Sequence, residues 1–364
     1  MGIRLPALFR PSLSFPTKRE TMKTTHIIST IALLSLAVPA SAETTMRVMG
    51  QPAATGLIQN NVEGPFFADF AASTGLDITA EFQPADITGI KDTEQLRVLK
   101  SGLFDIISLR LSQVSRDEPT ILGLDLVGLN PDYASGRETV AAFQSVVDAR
   151  LQEQFNTKLL GVWPFGPQVL FCEPEISSLA DLSGLKVRVY DQNLANFISL
   201  VGGTPVPLSF GDVQQSLARG VVDCAITGPS SANSAGWPEV TSYMMPIAFQ
   251  MAMNGYGMNL DTWNALSAED QEKMQAAFDT LIEDIWTYSE ELFVDAVQCN
   301  VGQQPCETGT LYDLTLVEVS DADKALISTA VTDVSFPAWK EICDATNPAC
   351  SSSWLETVGV AKGY

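Results

Sequence analysis

The residues with the clearest chemical content are six cysteines, a single histidine and an arginine set between two valines. Cys299 and Cys306 bracket a loop containing Gly and Pro, and Cys343 and Cys350 bracket Asn347-Pro348. Each such pair would close a loop of about eight residues, worth about 2.5 kcal/mol in the chain-entropy model. Cys172 and Cys224 are then left as a third pair. The competing reading is a free or metal-binding thiol pair, although no C-x-x-C occurs. His26 lies in an N-terminal segment that reads as cleavable. Without it the chain has no Ser-His-Asp or Cys-His mechanism, and none of the usual His-containing zinc, copper or non-haem iron sites. No metal and no cofactor are expected. Arg188 sits between Val187 and Val189, so in a strand it points to the face opposite both. A guanidinium is pre-organised for bidentate carboxylate binding and keeps its charge when buried. Its two readings are an anion grip and a structural ion pair with a neighbouring acid.

These groups need an exported, folded frame. Met22-Lys23 opens a mostly apolar run over 27–38, followed by Pro39-Ala40-Ser41-Ala42. A short charged region, an apolar core and an A-x-A site read as a secretory signal peptide over 1–42. Within it, 1–21 reads as an upstream extension, because a complete signal begins at Met22. The apolar run is too short for a transmembrane helix, and a mature chain starting near Glu43 would reside in the periplasm. An oxidising compartment makes disulfides the default state of the cysteines. Removing 1–42 takes away five basic residues and Glu20, leaving 16 basic and 42 acidic residues and a net charge of −26, against −22 for the whole chain. That balance excludes general nucleic-acid binding, which needs clustered Lys and Arg. With 46% hydrophobic residues in 364, the chain can offset its conformational entropy by burial. Its length suggests two lobes or one large domain.

Strand and helix patterns alternate along the chain, which predicts an α/β fold with buried sheets. Strands are expected at 46–50, 76–82, 102–108, 158–163, 169–172, 184–190, 205–208 and 221–227. Helices are expected at 61–73, 93–101, 137–155 and 192–201, and at 209–219 with Ser209 as cap and Asp212 three residues on. A very long helix is capped by Ser267 and runs to about residue 297. The expected organisation is a first lobe from 43–164, a second lobe from 165–246, and a return to the first lobe over 247–364, which carries the long helix and the C-terminal helices.

Three strings within 181–223 resemble a known family. Asp181-Leu-Ser-Gly-Leu-Lys-Val-Arg-Val189 is similar to the "DLKGLKIRV" signature of substrate-binding proteins of TRAP transporters, of the DctP type. Gly202-Gly-Thr-Pro-Val-Pro207 resembles their "LGATPVP" element, and Asp212-Val-Gln-Gln-Ser-Leu-Ala-Arg-Gly-Val-Val-Asp223 their "EVYxALQxGVVDG". All three stand in family order and spacing, ahead of the long helix. The resemblance implies a two-lobe periplasmic solute-binding fold with a central ligand cleft and a lobe-spanning helix. It implies a receptor, not an enzyme, that captures a small organic anion and delivers it to the membrane permease subunits.

The same resemblance assigns the ligand's salt bridge to Arg188. Many members carry "GFR" after the last strand of the first lobe; here the stretch is Trp163-Pro-Phe-Gly-Pro-Gln-Val169, and Gln168 stands where the arginine would be. The site thereby loses a charge and keeps an amide donor. Arg110, after the strand at 102–108, is a candidate second cation, or an ordinary surface arginine. Where the family has Gly-x-Glu after "VVD", Cys224-Ala-Ile-Thr-Gly-Pro-Ser-Ser231 follows. Thr227, Ser230 and Ser231 are candidate donors at a strand's C-terminal end, or turn residues. Trp163, Phe165, Phe171, Phe210 and Trp237 are candidate pocket walls, with Phe210 and Trp237 preferred, and would suit an acid with an apolar or aromatic body. Two other functions fit parts of the pattern: a periplasmic hydrolase using a carboxylate pair, and a sensory ligand-binding module of the same fold.

Overall fold

Strands that alternate with helices assemble into two sheets in the computed structural model, which describes residues 44–53 and 56–364. The expected signal peptide, 1–42, lies outside these residues. In chain order the strands are β1 (Thr44–Gly50), β2 (Ile78–Pro84), β3 (Ile106–Leu109), β4 (Thr157–Pro164), β5 (Val169–Cys172), β6 (Lys186–Val189), β7 (Thr204–Pro207), β8 (Cys224–Thr227), β9 (Tyr243–Met245), β10 (Met253–Asn259) and β11 (Thr315–Leu316). The first sheet has the order β2-β1-β3-β10-β4, and the second β11-β9-β5-β8-β6-β7. β1 to β4 fall in the first sheet and β5 to β9 in the second, so the chain changes sheets between Pro164 and Val169. β10 brings it back, pairing antiparallel with both β3 and β4.

The return is less complete than the sequence suggests. β11 pairs with β9 in the second sheet, and Val317, Ile327 and Ala330 join that sheet's core. Asp323, in the helix Asp321–Ala330, accepts from Leu179 N at 2.9 Å. The segment 315–330 is therefore pinned to the second lobe by an edge strand and an apolar helix face. Alternation alone carries no information about which edge a short strand joins.

Local differences have local causes. The expected strand at 102–108 shortens to β3, because Gly102 turns at φ +71° and Asp105 spends a carboxylate oxygen on Arg47 N. Ser209 makes no side-chain cap; Phe210–Asp212 forms a 3-10 turn and the helix proper is Val213–Ala218. The strand expected at 221–227 begins only at Cys224. Ser267, by contrast, accepts from Asp270 N at 3.1 Å and starts a helix of 33 residues, Ala268–Asn300. Its stripe Met274, Phe278, Leu281, Ile285, Leu292 and Ala296 is buried, as an amphipathic helix requires.

That helix reaches both sheets. Gln275 Nε2 and Trp286 Nε1 donate to Leu160 O and Val162 O on β4, the edge of the first sheet. At the other end, Asn300 Nδ2 donates to Pro229 O and Asn300 Oδ1 accepts from Asn233, both beside the second sheet. Three disulfides are formed: Cys172–Cys224 across the paired strands β5 and β8, Cys299–Cys306, and Cys343–Cys350.

Two connections between the sheets run side by side. Phe165, Gly166 and Gln168 donate their N–H groups to Ala252, Met251 and Gln250, and Phe249 N returns a bond to Gln168 O. Gly166 has φ +103°, and a Cβ there would come within 2.4 Å of the Tyr133 hydroxyl, so this connection needs glycine.

Candidate functional site

Arg188 is built into place by strand periodicity. Val187 and Val189 enter one core of the second sheet, while Arg188 projects on the face that carries Phe171, Ala225 and Trp237. It is 2% exposed. Its Nη1 donates to Ile226 O at 2.9 Å and its Nε to Leu208 O at 3.2 Å. The guanidinium carbon lies 5.5 Å from the Tyr190 ring centre and 5.7 Å from that of Trp237. None of the ion pairs among the described residues includes Arg188. Burial pulls its pKa down to about 10, with Tyr190 opposing and Arg110 adding to the fall. It stays charged at neutral pH. Among the described residues its hydrogen bonds go to carbonyl oxygens and no acid pairs with it, so its charge is not balanced by a neighbouring carboxylate.

Arg110 comes from the other sheet, one residue past β3. Its backbone N donates to Gln95 Oε1 and its Nε to Gln51 Oε1, both at 2.8 Å. Nη1 pairs with Asp92 Oδ2 at 3.2 Å, and the guanidinium stands 5.7 Å from the Phe165 ring centre. The reading as a surface arginine is excluded, since the residue is 7% exposed.

Both arginines line one small cavity between the two sheets. Gln168, Phe210, Thr227, Phe165 and Ser231 line it too. Gln168 spends one amide hydrogen on Gly166 O at 2.8 Å. Trp237 is not on the wall; it stacks behind Phe210 at 5.4 Å and backs Arg188. Trp163 and Phe171 are core residues that meet Phe165 and Trp237 edge-on. Ser230 lines a smaller neighbouring pocket with Gly56 and Gln59. Among the described residues no Asp or Glu lines the arginine cavity, so no carboxylate pair of theirs faces it.

Sequence reasoning missed Tyr190, Asn254 and Ala252. Tyr190 stands one residue past β6, and the strand expected over 184–190 would have put it on the face of Arg188. Its hydroxyl is buried with no hydrogen-bond partner among the described residues. Burial, with Asp191 and Asp125 nearby, pushes its pKa well above the usual tyrosine value. Asn254 and Ala252 sit where the second connection enters β10, a position that no local pattern marks. Ala252 has φ +51°, a conformation costly for a residue with a Cβ.

A hydrogen-bonded knot lies at the connections. Asp125 accepts from Met251 N at 2.9 Å and Asn130 Nδ2 at 3.2 Å. Gln250 Nε2 donates to both Asp125 O and Asp191 Oδ2, and Asp191 caps the helix Gln192–Leu200 through Leu194 N. Burial raises the pKa of Asp125 to about 7 and that of Asp191 to about 6.

The model of bacterial extracellular solute-binding proteins of family 7 matches residues 60–327. The sialic acid-binding periplasmic protein of Vibrio cholerae is 28% identical over 262 residues, covering 70% of this chain and 80% of that protein. An extracytoplasmic solute receptor of Bordetella pertussis that binds pyroglutamic acid superimposes with a TM-score of 0.74 at 16% identity, over 86% of this chain and 99% of that one. A TRAP periplasmic solute-binding protein of Desulfovibrio salexigens with bound orotic acid gives a TM-score of 0.74 at 16% identity, over 87% and 99%.

Proposed function

The chain belongs to the bacterial extracellular solute-binding proteins of family 7, the DctP family of TRAP-transporter receptors, and from that premise we propose that it captures a small organic carboxylate on Arg188. The family consists of receptors for transport, not enzymes. It is extracytoplasmic, and no helix among the described residues is long and apolar enough to cross a membrane. The observation that carries the ligand reading is a guanidinium 2% exposed, on a cavity wall, with two carbonyl acceptors and no acid partner. A carboxylate supplies the missing negative charge in the geometry the fork prefers. Relatives that hold sialic acid, pyroglutamic acid and orotic acid support an acid as ligand.

The cavity takes residues from both sheets, so an anion held on Arg188 of β6 also meets the wall that Arg110 and Phe165 form on the side of the first sheet. A ligand shifts the balance between open and closed lobes only through its differential affinity for the two, and contact with walls contributed by both sheets provides that difference. The closed complex is then what the membrane permease subunits receive. Export by the 1–42 signal peptide completes this reading. Mass spectrometry of small molecules released from purified protein, followed by calorimetry with the compound found, tests it. Recovery of an organic acid that rebinds supports the proposal. Consistent recovery of neutral or cationic solutes, with no acid binding in an organic-acid thermal-shift screen, overturns it.

A further inference from the structure

The charge balance around the cavity narrows the ligand class beyond "organic acid"; this step rests on the receptor reading above. The two guanidiniums are not equivalent. Arg110 arrives with its own counter-ion, Asp92 Oδ2 at 3.2 Å from Nη1, and its Nε is held by Gln51. Among the described residues Arg188 hydrogen-bonds to the carbonyl oxygens of Leu208 and Ile226 and pairs with no acid. The nearest further acid in sequence is Asp191, whose oxygens are spent on Leu194 N and Gln250 Nε2 and form no ion pair with Arg188. Whatever charge Asp191 carries makes the surroundings less positive. The remaining polar groups on the wall, Gln168, Thr227, Ser231 and Asn254 among them, are neutral. At most one positive charge is therefore uncompensated.

The walls set the shape of what accompanies that charge. Phe165 underlies Arg110 and Tyr190 underlies Arg188, at 5.7 and 5.5 Å. Phe210 presents a third ring, held flat by Trp237 at 5.4 Å and 28°. These rings come from three separate segments, so the ligand meets aromatic surface on several sides. A second carboxylate there would be desolvated with no free cation to meet it, which is the costly case for a buried charge.

We propose that this cavity selects monovalent ring acids, one carboxylate on a flat compact ring, over dicarboxylates built on the same ring. Arg188 takes the carboxylate, the rings of Phe165, Tyr190 and Phe210 take the body, and Asp92 sets the valence by occupying Arg110.

Three matched pairs test this by titration calorimetry: benzoate with phthalate, pyrrole-2-carboxylate with pyrrole-2,5-dicarboxylate, and furan-2-carboxylate with furan-2,5-dicarboxylate. At least one monocarboxylate should bind, and about tenfold or more tightly than its partner. Asp92→Asn, which releases Arg110 from its counter-ion, should narrow or reverse that ratio. A dicarboxylate that binds the unaltered protein as tightly as its monocarboxylate partner overturns the proposal, whether or not the variant folds. An unchanged ratio in a folded Asp92→Asn protein overturns the role of Asp92. If none of the six acids binds, the ring-acid class falls. The receptor reading falls only if the released-ligand and organic-acid experiments above also find no acid.

Discussion

Arg188 and Tyr190 line one cavity wall, and their side chains stand in opposite states of satisfaction. Arg188 holds its charge on two carbonyl oxygens, so removing it takes away the cation on which the proposed ligand depends. Arg188→Ala should weaken carboxylate binding by about 3 kcal/mol, roughly 150-fold in Kd; calorimetry with unchanged affinity would remove Arg188 from the site. Tyr190 buries a hydroxyl that no described residue satisfies. Tyr190→Phe should therefore leave the unliganded protein as stable or more stable, by up to about 1 kcal/mol. Thermal unfolding checks this, and a clear loss of stability would mean that the hydroxyl is already bonded in the free protein.

Between elements, the knot of Asp125, Gln250 and Asp191 ties the connections to the helix Gln192–Leu200. The pKa of Asp125 is raised to about 7 by burial, against the unfolded carboxylate near 4. A raised folded-state pKa means that the folded protein binds the proton more tightly. The associated stability is fully present below the unfolded value and is lost as pH rises through the folded one. Denaturant unfolding should show stability falling between about pH 5 and pH 8, by on the order of 2 kcal/mol, with Asp191 contributing in the same direction. Asp125→Asn should flatten that slope. A stability that rises over this interval would contradict it. Much at this scale was legible beforehand: the cap at Ser267, the buried strand over 169–172 and the local cysteine pairs all follow from short-range spacing. Ser209 was misread, because a 3-10 turn over Phe210–Asp212 satisfies the same apolar spacing without a side-chain cap.

At the scale of the molecule, residues 43–364 carry a net charge of −26 around the cavity proposed to take an anion. Long-range repulsion opposes the encounter and the arginines act only at short range. Raising ionic strength from about 0.01 to 0.15 M shortens the screening length from about 30 to 8 Å. The association rate for a monocarboxylate should therefore rise severalfold, opposite to the behaviour of a receptor with a steering field. Stopped-flow tryptophan fluorescence can follow this, since Trp237 lies 5.7 Å from Arg188. A rate that falls with salt would show that the potential at the cavity mouth, not the whole-molecule charge, governs capture.

The chain by itself determined the α/β class, the three cysteine pairs and the face on which Arg188 projects. Each rests on composition or on neighbours within a few residues, where backbone periodicity dictates direction. Tertiary structure decided the remainder. Which arginine keeps its charge free depends on Asp92, 18 residues from Arg110, and only folding brings that acid into reach. Whether Trp237 touches the ligand or backs Phe210, and which sheet receives Thr315–Leu316, turned on packing between segments distant in sequence. Spacing along a chain records orientation, but neighbours across the fold settle which polar group is already satisfied.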